Sequence, residues 1–415
     1  MTSPLFAIIG AGQVAATAVE ALRREGFQGR LLVIGDERQL PYQRPALSKK
    51  FLAGEMPLER LFVKPASFYE HANTQLQLGV RVEALDVQRR ELRFSDGQSV
   101  TYDRLLLATG STPRQLTVGG RNLAGVHYLR SIDDVERIRG ELSGAKHVVI
   151  VGAGYIGLEV AATCRQLGHE VDVLEMADRV MNRVVAPEVS AFFMAEHERA
   201  GIRIHTQALV SHLEARPDDE SRVGCVHTID GRQIPADLVV VGIGVVPVTK
   251  LAESAGLAVE NGIAVDEYCR TSDEHVWAAG DCTSHPSLRY HRAVRLESVD
   301  NAFEQSRSAA ANMAGRPVVH DRVPWFWSDQ FDLKLLIAGL NFDYDRVVMR
   351  GDPVTRAFSC CYLRGQELLA IDCVNQTKDF TAARKLIGER AHFDLQKLAD
   401  PGVALKEAVT HRELP

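Results

Sequence analysis

Twice in this chain an apolar run ends in the spacing Gly-x-Gly-x-x-small. Leu5-Phe6-Ala7-Ile8-Ile9 leads into Gly10, Gly12 and Ala15, and His147-Val148-Val149-Ile150-Val151 leads into Gly152, Gly154 and Gly157. Few folds admit this spacing. The first glycine makes a tight strand-to-helix turn. The second removes a side chain so that backbone N–H groups can approach a pyrophosphate, and the third position must be small for the helix to pack on the strand. The anion then rests at a helix N-terminus, where unpaired N–H groups and the helix dipole favour negative charge. Beyond each helix-patterned stretch a second apolar run reaches an acid. Leu31-Leu32-Val33-Ile34-Gly35 ends at Asp36 and Glu37, and Val171-Asp172-Val173-Leu174 ends at Glu175. A carboxylate at that distance accepts ribose hydroxyls. One such signature alone is weak; strand, glycines, helix, strand and acid, twice over, define two dinucleotide sites.

The two segments repeat a longer plan. Each continues through short strands and an Asp-Gly turn (Asp96-Gly97, Asp230-Gly231) to an apolar strand that enters a glycine. In the first copy Arg104 to Leu107 precedes Ala108-Thr109-Gly110; in the second, Leu238 to Val241 precedes Gly242. This reads as an internal duplication with a period of about 140 residues. From Val323 the pattern changes to strands near 335–338, 346–349, 358–363 and 368–374, followed by a helix near 380–387. The expected architecture is α/β: two Rossmann-like dinucleotide-binding domains plus a C-terminal α+β domain. Residues 1–112 with 245–322 form one discontinuous dinucleotide domain, 113–244 the other, and 323–415 the C-terminal domain. The loop from Leu40 to Lys49 carries two prolines that keep it extended before the next helix.

Composition closes off other classes. The 415 residues are 46% hydrophobic and 25% charged, with a net charge of −6, ordinary for a soluble globular protein and too mild for a nucleic-acid binder. No basic segment leads into an apolar stretch at the start, and the longest apolar run, Leu238 to Val248, is too short to span a bilayer, so a cytoplasmic protein is expected. The cysteine count is odd, at 7, and none forms C-x-x-C, which argues against a metal site and against a disulfide framework. Cys360 and Cys361 are neighbours on a strand-like run and therefore point to opposite faces, as packing residues do.

The order of motifs, Gly10-x-Gly12-x-x-Ala15, Ala108-Thr109-Gly110, Gly152-x-Gly154-x-x-Gly157 and Ala278-Ala279-Gly280-Asp281, resembles the two-dinucleotide FAD/NAD(P) disulfide-reductase superfamily. Pro41-Tyr42-Gln43-Arg44-Pro45-Ala46-Leu47-Ser48-Lys49, Arg295-Leu296-Glu297-Ser298-Val299 and Pro324-Trp325-Phe326-Trp327-Ser328-Asp329 narrow it. They are similar to the NADH–ferredoxin reductases of bacterial oxygenase systems, and the resemblance covers nearly the whole chain. It implies that the domain built from 1–112 and 245–322 binds FAD and the domain 113–244 binds NADH. Gly10, Gly12, Ala15, Asp36 or Glu37, Arg44, Pro45, Lys49, Ala108, Thr109, Gly110, Asp281 and Val299 would hold FAD, with Trp327 beside the isoalloxazine. Gly152, Gly154, Tyr155, Ile156, Gly157, Glu175, Arg183 and Gly242 would hold NADH. Lys49 and Glu159 would form an ion pair near flavin N5. Two departures stand out: Val248 where many relatives carry asparagine, and Leu336 where glutamine is common.

Several of these residues also admit a plainer reading. Glu159 in the first turns of its helix is favoured by the dipole, Lys49 alone could be a solvated lysine, Trp327 could be core, and Asp281 after a glycine reads as a helix N-cap. Glu175 would repel a 2′-phosphate, which favours NADH over NADPH, although Arg179 and Arg183 are nearby. In disulfide reductases electrons leave through a cysteine soon after the first ribose acid. Residues 38–63 hold no cysteine. The expected enzyme is therefore an FAD-dependent NADH:ferredoxin oxidoreductase that passes single electrons to a 2Fe–2S ferredoxin, and so to a cytochrome P450 or Rieske oxygenase. Such ferredoxins are usually acidic. Arg289, His291, Arg292, Arg295 and Arg307, with Lys378, Arg384 and Lys385 as further candidates, could form a basic docking patch or an ordinary solvated face. A monomer or weak dimer is expected. The alternatives are an NADH oxidase or quinone reductase, and an apoptosis-inducing-factor-like redox-sensitive binding protein.

Overall fold

Leu5–Ile9 is the middle strand of a five-stranded parallel sheet. Arg30–Gly35 and then Thr74–Leu78 lie to one side, Arg104–Leu107 and then Val276–Ala278 to the other. The strand is apolar throughout because both faces of the sheet are covered. Phe6 and Ile8 lie in one core with Val19 and Leu22 of the helix Gln13–Arg24 and Ala309 and Met313 of the helix Val299–Met313. Leu5, Ala7 and Ile9 lie in another with Leu92, Phe94 and Tyr102, at an antiparallel sheet of Val82–Asp86, Glu91–Phe94 and Ser99–Thr101. Each large side chain buried there contributes roughly 1.5–3 kcal/mol.

A second sheet repeats the first. His147–Val151 is its middle strand, with Glu170–Leu174 and Arg203–His205 to one side and Leu238–Val241 and Val126–Tyr128 to the other, all parallel. An antiparallel sheet of Val210–Arg216, Asp219–Thr228 and Gln233–Pro235 shares its core through Leu213, Val223, Val226 and Ile234. The strand order matches that of the first sheet, with one change. The outer strand beside Leu238–Val241 comes before its fingerprint in the chain, whereas Val276–Ala278 comes long after the other.

The C-terminal sheet is antiparallel, in the order Trp325–Gln330, Leu333–Gly339, Glu367–Val374, Ala357–Arg364, Arg346–Asp352. The helix Thr377–Gly388 buries Phe380, Ala383, Leu386 and Ile387 in the same core. The pattern of the sequence places no strand at 325–330. There the buried Ser328 and Gln330 break the alternation of apolar and polar residues that marks a strand. The loop expected to stay extended up to Lys49 instead winds into a 3₁₀ turn over Arg44–Ser48. Pro45 sits early in that turn, where its missing N–H is no loss.

This computed structural model describes residues 3–412. They fall into two units, one of residues 3–43, 58–112 and 246–322, the other of residues 44–57, 113–245 and 323–412. No helix among the described residues is long and apolar enough to cross a membrane.

Candidate functional site

In the first unit Gly10 has φ +108°, and a Cβ there would lie 2.1 Å from the Ala108 carbonyl oxygen. Only glycine lets the turn sit this close to Ala108-Thr109. Gly12 is the N-cap of the helix Gln13–Arg24; no side chain caps that helix and its first turn holds no acid. Nothing lies within 4 Å of where a Gly12 Cβ would be. A helix start with unclaimed N–H groups and open space beside it fits a pyrophosphate. Ala15 is fully buried, as the third position requires. At the end of the next strand Glu37 accepts from the Tyr42 hydroxyl at 2.5 Å, and Asp36 pairs with Arg81 at 3.1 Å.

Thr109 and Gly110 form a joint with Val248. The Thr109 hydroxyl donates to the Val248 carbonyl at 2.6 Å, and the Val248 N–H donates to Gly110 at 2.9 Å. Backbone atoms of Val248 make both bonds, so the departure from asparagine leaves the joint intact. Asp281 caps no helix, contrary to the plainer expectation for it. It accepts from Ser111 Oγ at 2.8 Å in a turn that leads to the strand Thr283–Ser287. The helix that begins at Val299 is capped by Ser298 instead. The Gly280 N–H is held by the buried Gln305 Oε1 at 2.8 Å, a partner that no sequence pattern marks.

The second unit builds the same cradle again. Gly152 has φ +104°, and a Cβ would lie 2.4 Å from Gly242 O; one on Gly157 would lie 2.0 Å from Gly152 O. Gly154 caps the helix Tyr155–Gln166 without a side chain, and the space where its Cβ would be is open. Glu175 is anchored by two backbone donors, Ala153 N and Ala177 N, each at 2.8 Å and each on its own oxygen. Both bonds leave lone pairs on the carboxylate for ribose hydroxyls. Arg179 is committed to the carbonyls of Val185 and Asn182. Arg183 is exposed, with its guanidinium near Gly244. Tyr155 packs against Phe326 at 4.7 Å, and burial pushes its phenol well above the usual range. Ile156 is exposed beside the fingerprint.

The same unit joins Lys49 to Glu159. The Lys49 ammonium lies 2.7 Å from Glu159 Oε2 and 3.1 Å from the Pro45 carbonyl. Ser48 Oγ donates to the same carboxylate oxygen at 2.5 Å, and Ser328 Oγ donates to Oε1 at 2.7 Å. Glu159 is 5% exposed, so this buried carboxylate is held by an ammonium and two hydroxyls. The sequence pattern singles out neither serine. Arg44 donates to the Arg130 carbonyl at 2.6 Å. Trp327 is half-buried, 5.4 Å from Trp325, and packs against the C-terminal core across from Leu336.

Of the basic candidates, Arg295 is joined to Glu297 and Arg307 to Glu304, while Arg384 lies over Trp325. Lys385 lies 3.6 Å from Glu389, and Arg292 is exposed. All seven cysteines are free; only Cys225 is not fully buried. Burial pushes the Cys282 thiol up, away from the reactive thiolate. Among the described residues Glu214, Cys225 and His227 bring metal-type ligand atoms within 4.8 Å of one another, with His227 and Glu214 hydrogen-bonded at 2.5 Å.

Two phosphate cradles, each followed by an anchored acid, define a two-dinucleotide oxidoreductase. The chain belongs to the pyridine nucleotide-disulphide oxidoreductase family, whose pattern matches residues 5–306, and residues 325–409 match the reductase C-terminal family. It is 42% identical to the 5,5′-dehydrodivanillate O-demethylase ferredoxin reductase subunit of Sphingobium sp., over 96% of this chain and 97% of that one. It is 40% identical to putidaredoxin reductase of Pseudomonas putida, over 97% and 96% of the two chains. Its fold matches the reductase in the covalent putidaredoxin reductase–putidaredoxin complex with a TM-score of 0.95, covering 98% of each chain. The chain is an oxidoreductase that uses FAD and a nicotinamide dinucleotide.

Proposed function

We propose that this chain is an FAD-containing, NADH-dependent ferredoxin reductase. It takes two electrons from each NADH, releasing NAD⁺ and a proton, and passes them one at a time to two molecules of a 2Fe–2S ferredoxin that feeds an oxygenase of the P450 or Rieske type. The observation that carries this reading is the Lys49–Glu159 pair in a chain with no cysteine between residues 38 and 63 and with its remaining thiols almost all buried. An exit for electrons through sulfur has no group to use.

When bound, FAD supplies the conversion between two-electron and one-electron transfer. The chain supplies binding and orientation. Gly10, Gly12 and the helix start they form hold the FAD pyrophosphate, and Asp36 or Glu37 its adenosine ribose. Arg44, Pro45, Lys49, Ala108 to Gly110, Asp281, Val299 and Trp327 complete that site. Gly152, Gly154, Tyr155, Ile156, Gly157 and Gly242 hold NADH, with Glu175 and Arg183 on its adenosine half. Glu175 as a fixed anion, with Arg179 committed elsewhere, supports NADH over NADPH. Lys49 and Glu159 place the nicotinamide; their charges offset each other, which keeps a rigid polar edge without net charge. On this reading residues 1–112 with 245–322 are the FAD domain, 113–244 the NADH domain and 323–415 the C-terminal domain.

The ferredoxin docks through basic residues such as Arg289, Arg292, Arg295 and Arg307. The chain acts as a monomer or weak dimer. The test is NADH-driven cytochrome c reduction with and without a panel of 2Fe–2S ferredoxins. Strong stimulation by a ferredoxin is expected. Equal turnover with dissolved oxygen or quinone alone would point to an oxidase instead.

A further inference from the structure

A line of buried polar side chains runs on from Glu159, away from Lys49. Ser328 Oγ, 2.7 Å from Glu159 Oε1, accepts from Gln330 Nε2 at 3.1 Å. Gln330 Oε1 lies 2.8 Å from His197 Nε2. Ser328, Gln330 and His197 are each 0% exposed. Ser328 and Gln330 share one face of the strand Trp325–Gln330 because they are two residues apart. His197 comes from the helix Pro187–Arg199. Two separate stretches of sequence thus supply a line that ends on one carboxylate, and burying three polar side chains for packing alone would be costly.

The direction of every bond in this line follows from the carboxylate. An ionised carboxylate can only accept, so the single hydroxyl proton of Ser328 points at Glu159. Ser328 must then accept from the amide NH₂ of Gln330, which turns the amide oxygen toward the imidazole. His197 must meet that oxygen with an N–H. Burial pushes His197 down to about 4, so at neutral pH the ring carries one proton. That proton is on Nε2, and Nδ1 has no hydrogen-bond partner among the described residues.

We infer that His197, Gln330 and Ser328 are positioning residues that lock the orientation of the Glu159 carboxylate, and through it the Lys49 ammonium, by a one-way hydrogen-bond line. The inference rests on the reading of Lys49 and Glu159 as the pair that places the nicotinamide. With Ser328 in place, one carboxylate oxygen is held by Ser328 and the other is left for Ser48 and Lys49. Without it the carboxylate can rotate, and the lysine follows.

The test uses the full FAD-loaded chain and the variants Ser328→Ala, Ser328→Thr and Gln330→Met. Rapid-mixing absorbance gives the limiting rate of flavin reduction and the NADH dissociation constant separately. Long-range ¹⁵N–¹H correlation on histidine-labelled protein, with His197 assigned through its own substitution, gives the ring tautomer. The expected results are Nε2–H in the parent chain, a limiting rate lowered about tenfold in Ser328→Ala and Gln330→Met, a dissociation constant within about twofold, and recovery in Ser328→Thr, which keeps the hydroxyl. An Nδ1–H or doubly protonated ring would overturn the inference. So would limiting rates in Ser328→Ala and Gln330→Met that match the parent chain. The tautomer is read without turnover: a chain that NADH cannot reduce, yet whose His197 carries Nε2–H, would refute the proposed function and leave the bond direction standing.

Discussion

Glu175→Gln changes one atom and tests the nucleotide assignment closely. Each carboxylate oxygen of Glu175 accepts one backbone N–H at 2.8 Å, from Ala153 inside the second fingerprint and from Ala177 beyond it. A glutamine has one acceptor oxygen. Whichever way the amide turns, its NH₂ group faces one of those N–H donors and leaves it without a partner. A hydrogen bond to a charged group is worth about 1.5–3 kcal/mol. The ribose also loses one charged acceptor of similar strength. Part of the backbone loss is present in the free protein and does not enter binding, so a net change of about 1.5–3 kcal/mol in NADH affinity is expected. At 1.4 kcal/mol per tenfold, that is an increase of roughly ten- to a hundredfold in KM for NADH. Removing the charge also relieves repulsion of a 2′-phosphate, so KM for NADPH should fall. The limiting rate should hardly change, because the substitution acts on the adenosine half. Steady-state kinetics with both nucleotides, at saturating electron acceptor, reads all three quantities. A KM for NADH within twofold of the parent value would refute the assignment of Glu175 to the ribose.

Other outcomes follow from the buried groups. Burial pushes the Asp372 carboxyl up to about 7, while Tyr362 donates to it. Its folded value lies above the unfolded one, so the stability contribution of the neutral form is full below about pH 4 and lost as pH rises through 7, by up to about 4 kcal/mol. Asp372→Asn should therefore raise Tm at pH 8 more than at pH 5, and an equal shift at both would contradict the argument. Gly157→Ala places a methyl 2.0 Å from the Gly152 carbonyl and should cost several kcal/mol, read as lost NADH binding with a lowered Tm. Iodoacetamide on the native holoprotein should label Cys225 and spare the six buried thiols, with NADH turnover unchanged; mass spectrometry and the cytochrome c assay check both parts.

The parallel sheets were legible because strands covered on both faces are apolar nearly throughout, as Leu5–Ile9 is and as His147–Val151 is after its first residue. The glycines were legible because their roles are local: a turn, a close approach, a packed helix. Lys49 and Glu159 carry no such local mark, and only their likeness to a known motif order put them together. Ser48, Ser328, Gln330 and His197 left no trace, since a buried polar side chain owes its place to partners far away in the chain. The same cause hid the strand at Trp325–Gln330; the plainer reading of Asp281 as an N-cap failed for a local reason, since its flanking glycine looks like a helix start but leads into a strand.

The different origin of the two outer strands has a consequence for biogenesis. The sheet around His147–Val151 draws all its strands from one unbroken stretch, Val126 to Val241. The enclosing sheet lacks its edge until Val276–Ala278 has left the ribosome, and lacks a covering helix until Val299–Met313 follows. During synthesis the inserted half can therefore close first, while the N-terminal half waits with an open flank. A truncation before residue 276 should leave the first sheet without its edge strand and its covering helix, and so hold that half in chaperones.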